Sequence, residues 1–111
     1  MINKINIIKK YTDDIRALFG IHLKAVILYG SQARGDYRVD SDFDIMILTD
    51  IERSDISDYQ NKVYELDYEY NWDYDIDIHA LVENEQFFNS WVEAYPFYNN
   101  IKIEGINLYA A

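Results

Sequence analysis

Two apolar runs with a polar segment between them constrain this chain more than any other feature. Val26-Ile27-Leu28-Tyr29 and Ile45-Met46-Ile47-Leu48 flank a stretch that opens with Gly30-Ser31 and closes with Asp42-Phe43-Asp44. Short apolar runs bounded by turn residues are read as buried strands. The stretch therefore reads as strand, a Gly-Ser turn opening a short helix, polar loop and second strand. Asp42 and Asp44 stand two apart, so on a strand both carboxylates point to one face. Two acids aimed at one point beside a Gly-Ser turn can hold a metal-bound phosphate.

A side chain at position 30 would keep the backbone from approaching a phosphate closely, which is a reason for glycine there. Ser31 opens a turn whose free N–H groups and dipole favour an anion, and its hydroxyl adds a donor. The bland alternative makes Ser31 only the cap of that turn. Arg34, one turn on, either reaches a triphosphate or pairs with an acid such as Asp36. Gly35 ends the turn. Gly30 and Gly35 have P-loop spacing, but Asp36-Tyr37 stands where Lys-Ser/Thr is needed, and an acid there repels phosphate. Asp40, Asp42 and Asp44 begin like a calcium-binding EF-hand loop. Ile45 stands where that loop turns on glycine, and Ile51 where it needs a bidentate glutamate.

Along the rest of the chain, Ile5, Ile8, Ile15, Leu18 and Phe19 recur at helical spacing and predict a helix over residues 3–19, stopped by Gly20. Residues 25–29 form the first strand. After the second strand, Ser54 or Asp55 caps a helix running to residue 69 with Ile56, Tyr59, Val63 and Leu66 as its apolar stripe. Asn71-Trp72-Asp73 reads as a turn, and residues 74–82 as a third strand. On that strand Asp75, Asp77 and His79 share one face. A short helical piece follows to Phe88. Pro96 opens a last helix over residues 96–104, stopped by Gly105. Residues 106–109 form a final edge strand. Helices alternating with strands in a short chain argue an α/β two-layer sheet domain.

Composition narrows the function. The chain has 111 residues, enough for one core, so residues 1–111 are read as a single domain. It has no cysteine, which excludes disulfides, thiolate metal sites and a thiol nucleophile. No apolar run approaches the roughly 18 residues of a membrane span. Residues 1–10 lack the long apolar stretch of a signal peptide, and a cytoplasmic location is expected. The net charge of −10 argues against a nucleic-acid template, which is bound mainly through Lys and Arg. It favours a small nucleotide carried in with cations, or a basic protein partner. Much of the acidity also serves solubility. His79 either lines the acidic face or is an ordinary packed or surface residue. His22 is read as incidental. Tyr95, Phe97 and Tyr98, around Pro96, are candidates for an exposed partner surface.

Gly30-Ser31 followed at a distance by Asp42-x-Asp44, with Arg34-Gly35 and Ser41 matching the fuller pattern, resembles the nucleotidyltransferase superfamily of DNA polymerase beta and kanamycin nucleotidyltransferase. The small size resembles the minimal nucleotidyltransferase (MNT) family within it. The resemblance implies a small mixed sheet of three to four strands, the first two antiparallel, with helices packed on one face. It implies transfer of NMP, AMP from ATP in the favoured case, to a hydroxyl with Mg2+ as cofactor, two ions in number. Asp42 and Asp44 would ligate the ion carrying the triphosphate, with Gly30, Ser31 and Arg34 binding the nucleotide. A third acid, embedded between apolar residues on the third strand, is also called for. Asp77 fits best as ligand or general base, and Asp75 is the reserve. Two carboxylates about 4 Å apart repel by roughly 1 kcal/mol in water and about 4 at an effective dielectric of 20, which favours a cation between them.

Larger relatives carry a second domain that presents the acceptor. The resemblance implies that here the acceptor comes from another chain: a helical HEPN toxin, modified on a tyrosine and so neutralised by this chain as its antitoxin. Two other expectations stand beside it. The same fold can mask a partner without turnover, or it can modify a small molecule such as an antibiotic. Association with itself or with another chain is compatible with all three.

Overall fold

A computed structural model describes residues 3–35 and 42–111. The chain order is α1 (Lys4–Phe19), β1 (Leu23–Tyr29), β2 (Phe43–Thr49), α2 (Ile56–Tyr74), β3 (Ile78–Asn84), α3 (Glu85–Trp91), α4 (Pro96–Glu104) and β4 (Ile106–Ala110). The strands form one sheet in the order β3-β2-β1-β4. β1 runs antiparallel to both β2 and β4, whereas β2 and β3 are parallel. The sheet is therefore mixed, with the expected antiparallel first pair. α2 makes the crossover that a parallel pair requires.

Helix α1 starts at Asn3, whose side chain accepts the N–H of Asn6, and it stops at Gly20 with φ of 57°. Its buried stripe is Ile7, Ile8, Tyr11, Thr12, Ile15 and Phe19. Ile5, placed on that stripe by spacing alone, is 69% exposed. The outer helix α4 and its Gly105 stop fall where the sequence puts them.

The alternation along β2 sorts two cores. Phe43, Ile45 and Ile47 join Val26, Ile15, Val63 and Tyr70 beneath α1 and α2. Met46 and Leu48 face the other way, with Ile27 of β1, Phe88 of α3, Val92 just after it and Ile101 of α4. The two long helices thus form the expected layer on one face. The short C-terminal helices add a partial layer on the other.

The α2–β3 region departs from the sequence reading. α2 begins after a 3₁₀ turn at Arg53–Asp55, and Asp55 makes no side-chain capping bond. It runs to Tyr74, past the turn expected at Asn71-Trp72-Asp73, because Tyr70 and Tyr74 extend its buried stripe. Asn71 does not turn the chain. Its side chain accepts the N–H of Ile78 and donates to the carbonyl of the same residue, at 2.7 and 3.3 Å. Asp75 ends the helix in the left-handed region, at φ of 53°, a conformation aspartate tolerates better than most residues. β3 consequently starts at Ile78, four residues later than the expected start.

The same helix closes the outer edge of β3. Gln60 donates to the carbonyl of Ala80 and accepts the N–H of Val82, at 2.9 and 2.8 Å. Asp67 accepts the N–H of Ala80 at 3.2 Å. With Asn71, three polar side chains of α2 satisfy the backbone groups that an edge strand otherwise leaves open to pairing.

Candidate active site

The site forms where β1 ends and β2 and β3 begin. Gly30 has φ of 76°, and a Cβ built there would lie 2.5 Å from Oδ2 of Asp44. The positive φ therefore favours glycine, and a side chain here would also displace the Asp44 carboxylate, beyond any need to approach a phosphate. After it comes a single hydrogen-bonded turn rather than a short helix, with Arg34 N–H donating to the Gly30 carbonyl at 3.2 Å and Gly35 N–H to that of Gln32 at 3.3 Å. Gly35 ends the turn with φ of 81°. Ser31 is half-buried in this turn.

Arg34 is tied by a 3.1 Å ion pair to Glu104 at the end of α4. The sequence left its partner open between a triphosphate and an acid such as Asp36. Asp36 and Ser41 lie outside the described residues, and Glu104, 70 positions away, left no sequence signal.

Parallel pairing of β2 with β3 sets Asp44 beside His79 and Phe43 beside Ile78. The ladder continues one step outward, because Phe43 N–H donates to the Asp77 carbonyl at 2.7 Å. That register brings Asp42 next to Asp77, and the period of two puts Asp42, Asp44, Asp77 and His79 on one face. Asp42, Asp77 and His79 each offer one ligand atom, all within 4.8 Å of one another, and all three residues are exposed. Nε2 of His79 stands 3.6 Å from Oδ2 of Asp42. Asp75, the reserve acid, caps α2 and is outside this group.

Asp44 sits half-buried beside the group, against Gly30 and paired across the sheet with Tyr29. Burial and the charge of Asp42 push its carboxyl above the usual aspartate range, partly offset by His79 and Arg34. Burial and Asp44 together push the Tyr29 hydroxyl up to about 12. Both shifts come first from burial and then from the neighbouring carboxylate. An oxygen-rich, outward-facing set of this kind fits a hard divalent cation such as Mg2+, which keeps part of its water shell while bridging carboxylates to a phosphate.

A cavity of about 860 Å³ lies elsewhere, between α1 and the β1–β4 side of the sheet; Gln32 and Phe43 touch it, but Asp42, Asp44 and Asp77 do not. The acids face outward. His22, read as incidental, bonds Asp50 at 2.7 Å, outside the acidic group. Tyr95 and Phe97 are exposed as anticipated, whereas Tyr98 is half-buried and donates to Glu83. Among the described residues, no helix is long and apolar enough to cross a membrane.

Comparison with known proteins gives the family and the fold. A model of the nucleotidyltransferase domain family matches residues 8–105. The chain is 32% identical over 108 residues to a Methanocaldococcus jannaschii protein named "putative protein adenylyltransferase MJ0604", covering 97% of this chain and all of that one. In fold it is similar to a Sulfolobus solfataricus protein described as "a putative nucleotidyltransferase", with a TM-score of 0.63 at 19% identity over 94% of this chain and 78% of that one. It also resembles a chain from the complex of a tri-AMPylated Shewanella oneidensis HEPN toxin with an MNT antitoxin, with a TM-score of 0.50 at 13% identity over 93% and 70% of the two chains. A family match along nearly the whole sequence, and a relative aligned over its full length, establish that this chain belongs to the nucleotidyltransferase domain family.

Proposed function

We propose that this chain transfers AMP from ATP to a tyrosine hydroxyl of a helical HEPN toxin, and so acts as its antitoxin. The observation that carries the proposal is the approach of Asp42 and Asp77, from the starts of two parallel strands, beside the contact of Asp44 with Gly30. The outward-facing acids suit an acceptor delivered on another protein. The name of the archaeal relative and the AMPylated toxin in the Shewanella oneidensis complex support the choice of acceptor and nucleotide.

In this reading Asp42, Asp44 and Asp77 hold divalent cations, and Ser31 and Arg34 contact the phosphates. Bound Mg2+ would neutralise the triphosphate and stabilise charge on the transferring group. Asp77 accepts the proton of the attacking hydroxyl. The hydroxyl oxygen bonds to the α-phosphorus, the bond to the bridging oxygen breaks, and pyrophosphate leaves. Arg34 must exchange Glu104 for phosphate oxygens, and Glu104 keeps the guanidinium at the site until then.

The test is transfer of label from α-labelled ATP to the co-purified toxin, with mass spectrometry to place AMP on tyrosine. Toxin neutralised without any transferred label would leave masking by binding as the function, a reading favoured by the charge of −10 and the exposed Trp91, Tyr95 and Phe97. Label appearing on aminoglycosides but not on protein would move the acceptor to the small-molecule class.

Gly30→Ala tests the turn. The positive φ and the displaced Asp44 carboxylate should cost about 1–3 kcal/mol of stability. The transfer rate should fall at least about tenfold, since a misplacement of about 1 Å at a reacting centre has effects of that size or more. Urea titration and initial rates measure the two effects separately.

A further inference from the structure

We propose that His79 is itself a metal ligand, so that the divalent site shared by Asp42 and Asp77 is a carboxylate–carboxylate–imidazole set completed by His79, with Asp44 left to the ion that carries the triphosphate. The inference rests on the site reading above and adds to it a nitrogen donor and a metal preference.

Three observations converge on the imidazole. The β2–β3 register puts His79 beside Asp44 on the acidic face, so its direction follows from strand pairing. Its ligating atom lies within 4.8 Å of those of both Asp42 and Asp77. Its Nε2 is 3.6 Å from Oδ2 of Asp42, beyond ordinary hydrogen-bond length. Donors around a six-coordinate ion with bonds of about 2.1 Å stand roughly 3 Å apart when adjacent and about 4 Å apart when opposite. The three side chains need only small rotamer adjustments to meet one ion. A half-exposed His–Asp pair by itself contributes little to stability, so an ion pair alone gives a weak reason for histidine at this place.

Nitrogen changes what the site selects. Carboxylates and water suit Mg2+, whereas imidazole favours first-row transition ions. A mixed set binds Mn2+ or Co2+ more tightly than an all-oxygen site would, relative to Mg2+. Neutral imidazole is the ligating form, with its other nitrogen carrying the proton.

The chain has two histidines, which makes the experiment unambiguous. Untagged full-length protein is loaded with Mn2+ and examined by pulsed EPR for nitrogen modulation from a coordinated imidazole. The expected result is modulation in the wild type and in His22→Ala, and none in His79→Ala. His79→Ala should weaken Mn2+ binding by about tenfold or more, and Mg2+ binding, measured by competition, by less than about threefold. Circular dichroism verifies that the variant, altered at an exposed position, keeps its fold. Mn2+ that binds through Asp42 and Asp77, as judged by Asp42→Asn and Asp77→Asn, yet shows no nitrogen modulation would overturn the role of His79 and leave the carboxylate site standing. Wild-type protein that binds no Mn2+, alone or with a non-hydrolysable ATP analogue, would overturn both.

Discussion

Asp44→Asn is expected to lower nucleotidyl transfer by about a thousandfold or more while leaving the protein folded, and slightly more stable at pH 7. A thousandfold is about 4 kcal/mol of transition-state stabilisation, the scale on which preorganised charge acts in a partly dry site. Asp44 is the half-buried member of the acidic set, and Asp42 raises its pKa. An amide at this position keeps the shape and removes the repulsion. It also weakens the hold on the cation that carries the triphosphate. Opposite movements in activity and stability distinguish a functional charge from a structural one. Rates with labelled ATP and urea midpoints give the two readings, and a variant within tenfold of wild type would exclude Asp44 from the chemistry.

The second large effect concerns an acid outside the site. Asp67 is 5% exposed, accepts the hydroxyl of the fully buried Tyr11 and accepts the N–H of Ala80. It joins α1, α2 and β3 at one point. Burial pushes its carboxyl up to about 6, against the opposing effects of those two bonds. At pH 5, where the folded-state carboxyl is mostly neutral, Asp67→Ala should destabilise the protein by about 3 kcal/mol or more, because two buried donors lose their acceptor and a cavity opens.

The carboxyl also ties stability to pH. Its folded value lies above the unfolded value of about 4, so its contribution is fully present below pH 4 and is lost as pH rises through about 6. The loss is about 2 kcal/mol after allowing for partial solvent screening. Asp67→Asn keeps a carbonyl acceptor and an amide that can bond the Tyr11 oxygen, but it does not titrate. The stability of wild type relative to Asp67→Asn should therefore rise by about that amount between pH 7 and pH 4. Denaturant titrations across that range decide it, and parallel curves would mean that the carboxyl titrates as it does in the unfolded chain.

Much of this protein was legible without coordinates, and the legible parts share a cause. α1 with its Gly20 stop, β1, β2, and α4 between Pro96 and Gly105 rest on periodicity and cap chemistry that act within a few residues. Gly30-Ser31 and Asp42-x-Asp44 were visible for the same reason, and strand period alone put the two acids on one face. The misplaced pieces depended on distant partners. Asn71 reads as a turn residue until its bonds to Ile78 are known. The role of Asp67 shows only when Tyr11 and Ala80 are seen around it. Ile5 fits a helical stripe but is left exposed where it lines the open cavity between α1 and the β1–β4 side of the sheet.

By itself the sequence determined most helix and strand periods and put Asp42 and Asp44 on one face, because motif spacing and side-chain period are properties of the local chain; the mixed sheet was an expectation carried by the family resemblance of those motifs. The tertiary structure decided what depends on packing across long separations. It held α2 helical through Tyr74, which left Asp75 as a cap and sent Asp77 to the acidic face. It paired Arg34 with Glu104 from the far end of the chain. It also set the β2–β3 register, where a slip of one residue would have turned Asp77 and His79 away from Asp42.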